Sequence, residues 1–232
     1  MNLLTILLQA TTDISVSAPT LEIENKTYFY LLLKGGLILI PLGIMFVLAN
    51  YLMIERWISI KILGKIDTKW FDETKRLTNE GKMDEAIKLC TQNPGIYSNL
   101  MIAGLVEAEH SDIEIQDALQ SEARQQISVL EKGMNYLGII ASIAPMFGFL
   151  GTIFGVIKIF YNISVTNDLN IANISDGLYQ KMISSGAGLF VGIVAYTGYY
   201  VLNGRIDKVV LKMDRASNEL LKEIRRYKRS QL

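Results

Sequence analysis

Three stretches of this chain exceed the roughly 20 apolar residues that a helix needs to cross about 30 Å of hydrocarbon. They run from Phe29 to Met53 with one internal charge, Lys34, from Met134 to Ile157 with none, and from Leu178 to Leu202 with Lys181 alone. Half of the 232 residues are hydrophobic and the mean hydropathy is +0.26, yet the sequence turns polar between and after these runs. Backbone groups in lipid must be satisfied within their own segment, so such runs form helices. The expected fold is an all-α integral membrane protein with three transmembrane helices.

The basic and acidic residues cancel, 23 against 23, but they are segregated. Lys and Arg crowd the long segment Glu55–Gly133 and the tail after Leu202. The loop Asn162–Asn173 has neither, and the segment before the first run has only Lys26. Because Lys and Arg mark the cytoplasmic loops, the N-terminus and the short loop are expected outside, with the long loop and tail inside. The opening "MNLLTILLQATTDISVSAP" has a short apolar stretch but no preceding positive charge, which argues against a cleaved signal peptide. The alternative is an amphipathic segment lying on the outer membrane surface.

Cys90 is the only cysteine and His110 the only histidine, so neither an intrachain disulfide nor a His/Cys metal cluster can form. Cys90 falls on the apolar side of a predicted helix, as filler, and His110 lies in a polar stretch. No phosphate loop, serine elbow or paired-carboxylate pattern is present. No catalytic residue, metal site, cofactor or nucleic-acid partner is expected, and the chain is not read as an enzyme.

The inner segment reads as helices with a turn at Asn79–Gly81 and a strong break at "QNPG", Gln92–Gly95. From Tyr97 to Lys132 an amphipathic pattern is expected to run into the second span without a linker. After the third span, Ile206, Val209, Val210, Met213, Leu220, Leu221, Ile224 and Tyr227 form one stripe, for which packing against another helix is the default role. The basic face beside it is a candidate for contact with anionic lipid. Spans two and three are thus expected to extend into a cytoplasmic helical bundle.

Within the second span, at about 100° per residue, Ala141, Ala144, Pro145, Gly148, Gly151, Thr152 and Gly155 share one third of the helix surface. Helices in lipid associate through close packing of small residues, and Gly151 and Gly155 have the associated spacing. In the third span Gly177, Gln180, Lys181, Ser184, Gly188, Gly192 and Ala195 share a face, with Ser185 at its margin. Polar groups in a span are costly against lipid and should face protein or water. Each hydroxyl alone is explained by a bond to its own backbone. The two stripes together point to a hydrated path or a docking groove, with Thr152, Ser184, Ser185 and Gln180 as the ion-pathway candidates. Lys34 and Lys158 lie near the outer ends of their spans and can snorkel, and Lys181 is one turn inside that boundary. Asp176 is either a cap for the third span or, with Lys181, part of the mouth of a path.

At these residues the chain resembles a known family. "APMFGFLGTIFGVI" resembles the second-span signature of the ExbB/TolQ/MotA family of motor subunits, and "GLYQKMISSGAGLFVGIVA" its third span. "KGGLILIPLGIMFVLANYLMIERW" is similar to the first span, and "EAIKLCTQNPGIYSNLMIAGL" to the cytoplasmic stretch. Three spans favour the ExbB and TolQ branch, ExbB above all, over MotA, which has four. The resemblance implies a homo-oligomeric ring, a pentamer by analogy, in a bacterial inner membrane. It implies an ExbD-like single-span partner with a titrating aspartate, and a TonB-like protein on which proton flow does work for outer-membrane uptake. TolQ-like and gliding-type envelope motors, and a non-conducting scaffold, are the other readings. Thr152 matches the family's second-span threonine and Ser185 stands for its third-span threonine. Gln180 stands where ExbB and TolQ usually have a glutamate, so a relay through that carboxylate is put in question. The expected divisions are a periplasmic segment at 1–27, membrane helices at 28–54, 133–160 and 176–202, a cytoplasmic helical domain at 55–132, a periplasmic loop at 161–175 and a cytoplasmic helix at 203–232.

Overall fold

A computed structural model describes residues 38–66, 68–166 and 171–231, and of these the side chains of Asn173, Asp176 and Gln180 are left undescribed. Lys34 and the N-terminal segment lie outside the described residues. Seven helices account for nearly all of what is described: α1 (Leu39–Leu63), α2 (Thr68–Asn79), α3 (Met83–Gln92), α4 (Ile96–Val106), α5 (Asp112–Glu131), α6 (Met134–Thr166) and α7 (Ile171–Ser230). Three of them are long and apolar enough to cross a membrane: α1, α6 and a part of α7 within Gly177–Ser230.

These three form an up-down-up bundle. Along α1 and α7 the contacts advance together: Phe46 meets Phe190, Met53 sits where a side chain at Gly198 would go, and Arg205 lies over the Trp57 ring, 3.2 Å from its centroid. The two helices are therefore parallel. Helix α6 runs the other way, with Ile38 beside Gly151 and Arg56 beside Gly133. Apolar side chains point outward all round this bundle, among them Val47, Ile54, Phe149, Phe154, Phe160 and Phe190. That is the expected surface of a helix bundle solvated by lipid, where exposed leucine or phenylalanine carries no penalty.

Helix α7, 60 residues long in all, continues beyond Leu202 and there packs against α2, α4 and α5. Here the pattern inverts, because large apolar residues are inside: Ile206, Met213, Leu220 and Ile224 of α7 with Phe71, Leu77, Leu100, Leu105, Ile115 and Leu119. Gly104 lets α4 approach both neighbours, since a Cβ there would lie 2.8 Å from Leu119 Cδ2 and 2.8 Å from Leu220 Cδ2. The expected stripe on the tail is this core, with Val210 packed at its edge. Cys90 is fully buried, as expected, 3.8 Å from Thr74 Oγ1, and burial pushes its thiol pKa up. His110 is exposed and pairs through Nδ1 with Glu107, 2.8 Å away.

Two boundaries match the sequence signals and one expectation fails. Helix α2 ends at Asn79, and Gly81 takes φ +77° beneath the Tyr227 ring. Helix α4 starts at Ile96, directly after "QNPG". The continuous run expected from Tyr97 to the second span is instead broken twice. Helix α4 stops at Val106, and α5 begins with a capping box: Ser111 Oγ accepts from the Glu114 N–H, and the Glu114 carboxylate accepts from the Ser111 N–H at 2.9 Å. These reciprocal bonds satisfy two otherwise orphaned donors at a new helix start. The second break is Gly133, whose φ of +84° no other residue type adopts readily. The chain therefore enters the second span through a turn, and only α7 runs unbroken from span to extension.

Candidate ion-pathway and helix-packing site

The small faces of α6 and α7 meet each other within one chain. At the centre, a Cβ on Gly188 would lie 2.6 Å from the Ala144 carbonyl oxygen and 2.8 Å from Gly148 Cα. A Cβ on Gly148 would in turn lie 3.0 Å from the Ser185 carbonyl oxygen. One turn along, Gly192 faces the ring of Pro145, whose Cγ would be 2.5 Å from an added Cβ, and the Ala141 carbonyl at 3.2 Å. Backbone lies against backbone across the seam, an approach that the missing Cβ atoms of Gly148 and Gly188 allow. Pro145 has no N–H to give the Ala141 carbonyl, and α6 continues through it because the neighbouring helix covers that turn. Ala144, Gly148, Gly151, Gly155, Gly188, Gly192 and Ala195 are buried, and Ala141 and Pro145 half-buried.

The hydroxyls lie in or beside this seam. Ser184 is fully buried; its Oγ donates to the Lys181 carbonyl at 2.8 Å and lies 3.0 Å from where a Cβ on Gly151 would be. Thr152, half-buried, donates to the Phe149 carbonyl at 2.6 Å. Ser185 is half-buried at the seam's margin. Both donating hydroxyls have satisfied their hydrogens locally, so what they offer a passing water or proton is their oxygen lone pairs.

Toward the N-terminal end of α7, the seam holds a cation. The Lys181 stem lies flat on Gly155: a Cβ there would be 2.1 Å from Cγ, 2.3 Å from Cδ and 2.4 Å from Cε. Gly177 closes the same end against Ile159. Lys158, by contrast, is exposed on α6. Asp176 and Gln180 belong to α7, but their side chains lie outside the described residues.

Two further features escaped the sequence patterns. Near the start of α6, Asn135, Gly138, Ile139, Ser142, Ile143 and Tyr199 line an open cleft of about 560 Å³. Ser142 and Tyr199 both carried a signal, a hydroxyl within a span, but fall off the small-residue face. Between α1 and α7, Met53, Trp57, Ile193, Val194, Thr197 and Val201 line an apolar groove of about 390 Å³. Periodicity within single helices does not reveal it.

Comparison with known proteins locates this seam in a family. The model of the MotA/TolQ/ExbB proton channel family matches residues 92–215, which runs from the end of α3 through α6 and well into α7. A putative biopolymer transport protein ExbB homolog of Methanothermobacter thermautotrophicus is 28% identical over 130 residues, 56% of this chain and 46% of the relative. The biopolymer transport protein exbB1 of Vibrio cholerae is 25% identical over 189 residues, 79% of this chain and 82% of its own length. The Tol-Pal system protein TolQ of Haemophilus influenzae is 26% identical over 92 residues, 40% of each chain. This chain thus spans less than half the length of the Methanothermobacter relative and most of the Vibrio one. With a match over more than half its length, and with the matched stretch carrying the seam, the chain belongs to the MotA/TolQ/ExbB proton channel family.

Proposed function

We propose that this chain is the ring-forming subunit of a proton-driven motor in a bacterial inner membrane, with α6 and α7 contributing the ion path. The observation that carries the reading is the seam itself. Two lipid-length helices touch through glycine and alanine, with Ser184 buried in the contact and Thr152 and Ser185 half-buried at its margin. The extension of α7 with α2–α5 is then the cytoplasmic bundle, consistent with the concentration of Lys and Arg in those segments. In this reading the copies form a homo-oligomer, a pentamer by family resemblance. The faces around the seam receive an ExbD-like single-span helix, and the work is done on a TonB-like protein in outer-membrane uptake. A TolQ-like role rests on the same residues, because relatives of both names match.

Gln180 cannot titrate, so the carboxylate that takes up and releases the proton comes from the partner, and Gln180 serves as a neutral hydrogen bonder. Asp176 and Lys181 stand at the mouth of the path. The test is proton flux into proteoliposomes holding this chain and its single-span partner. Thr152→Val, which keeps the shape and removes the hydroxyl, is expected to cut flux at least about tenfold, while Gln180→Ala retains it. Complete loss with Gln180→Ala would overturn the role given to Gln180 as a neutral hydrogen bonder. Unchanged flux with Thr152→Val would favour the second reading, a non-conducting scaffold, which the local bonds of the Thr152 and Ser184 hydroxyls also fit.

A further inference from the structure

Lys181 departs from what a lysine near the end of a span does. Such a side chain extends toward the headgroups and carries its ammonium to water. Here Cγ, Cδ and Cε all lie against Gly155 of the facing helix, so the stem is laid across the seam and the ammonium is one bond beyond the Gly155 contact. Gly155 is the only residue type that leaves this space, since any Cβ would occupy the volume of three Lys181 carbons. The residue is half-buried, and among the described residues it has no ion-pair partner. Its own carbonyl accepts from Ser184 Oγ, and Thr152 lies one turn along α6 from Gly155, so the cation sits on the same short section of seam as two pathway hydroxyls.

We propose that Lys181 is a fixed charge that closes this end of the α6–α7 seam to cations. A positive charge anchored at the seam by a stem lying on Gly155 raises the energy of any cation brought alongside it, and the more so the less water surrounds the pair. Water alone entering the seam then makes no proton or sodium leak. Conduction requires a negative group to offset the ammonium, and a carboxylate on a partner helix has that chemistry. The inference rests on the proposed pathway through this seam, and it makes Lys181 a barrier residue that acts by charge, with Gly155 as the seat that holds it.

The test uses the full chain by itself, reconstituted in vesicles carrying an internal pH indicator, with a potassium diffusion potential driving cations inward. The wild-type chain is expected to be tight. Lys181→Met keeps the length of the stem on Gly155 and removes the charge, and is expected to raise proton entry at least about tenfold. Lys181→Arg keeps the charge and is expected to stay tight. Equal tightness of Lys181→Met and wild type would overturn the proposal, as would an Arg variant that leaks like the Met variant, because that makes packing the cause. Should Lys181→Met fail to assemble in mild detergent, Lys181→Glu serves instead, and a tight Glu variant overturns the proposal equally. Failure of the functional reading shows elsewhere, as absent flux from the wild-type chain together with its partner. A conducting complex with uniformly tight isolated variants removes the barrier and leaves the pathway standing.

Discussion

Helix α7 passes through two regions that obey opposite rules of burial. In its first half four of the five buried residues from Ser184 to Ala195 are small, Ser184, Gly188, Gly192 and Ala195, with Val191 the exception, and Phe190, Ile193 and Tyr196 point outward. In its second half the buried residues are mostly large, among them Met213, Leu220 and Ile224, with Ala216 the small exception, and the outward face is largely charged. The change falls near Leu202. In water, apolar area drives association at about 25 cal/mol per Å², so large side chains go inside. In lipid that drive vanishes and close backbone approach takes its place. The inversion along one helix is the pattern expected of a lipid-facing half joined to a water-facing half, and the two halves should respond differently to the same kind of substitution.

The largest difference is expected from truncating large residues. Leu220→Ala empties a fully buried position and should cost about 2–5 kcal/mol, read as loss of the extension's cooperative thermal unfolding in detergent. Phe154→Ala on the outward face of α6 should cost less than about 0.5 kcal/mol in the same measurement. Comparable losses at the two positions would break the comparison.

Adding a methyl group should reverse the ranking. Gly188→Ala pushes a carbon into the Ala144 carbonyl, a backbone atom that cannot swing away, and should destabilise the α6–α7 pair by about 1–3 kcal/mol. Gly186→Ala, two residues away on the open face with nothing within 4 Å, should be neutral or stabilise by up to about 1 kcal/mol. Thermal stability of the two variants in one detergent measures this directly.

Smaller effects belong to the extension alone. Ser111→Ala removes one half of the capping box and should cost about 1 kcal/mol. The Ser111 N–H bond holds the Glu114 carboxyl below its ordinary pKa, so the cap's contribution is present above the unfolded carboxylate range and is lost as pH falls through the lowered folded value. Stability of the wild type should therefore fall more on acidification than that of Glu114→Gln. Smallest of all, a double-mutant cycle on the 2.8 Å pair Arg225 and Asp112, both well exposed, should return less than about 1 kcal/mol.

Much of the extension was legible because its signals are local. The glycine at a turn, "QNPG" before a helix start and the stripe from Ile206 to Ile224 each act within a few residues, and each appears where expected. The "SDIE" capping box is an equally local signal, but the amphipathic pattern runs straight through it and through Gly133, so periodicity alone does not mark either break. The small faces were legible as faces, but their partner was not. Nothing in Gly188 says that it meets Ala144 and Gly148 of its own chain.

By itself, the sequence determined that three helices are long and apolar enough to cross lipid, that two carry small polar faces, and that the tail after Leu202 must bury a stripe. Hydropathy and periodicity are sums over neighbouring residues, so a single chain carries them complete. Only the tertiary structure decided that the two small faces close on each other, that Met53 and Trp57 of α1 lean on α7, and that the Lys181 stem lies on Gly155. Those outcomes depend on contacts of a few ångströms between residues far apart in the chain, where the missing Cβ of a glycine is a property of the pair.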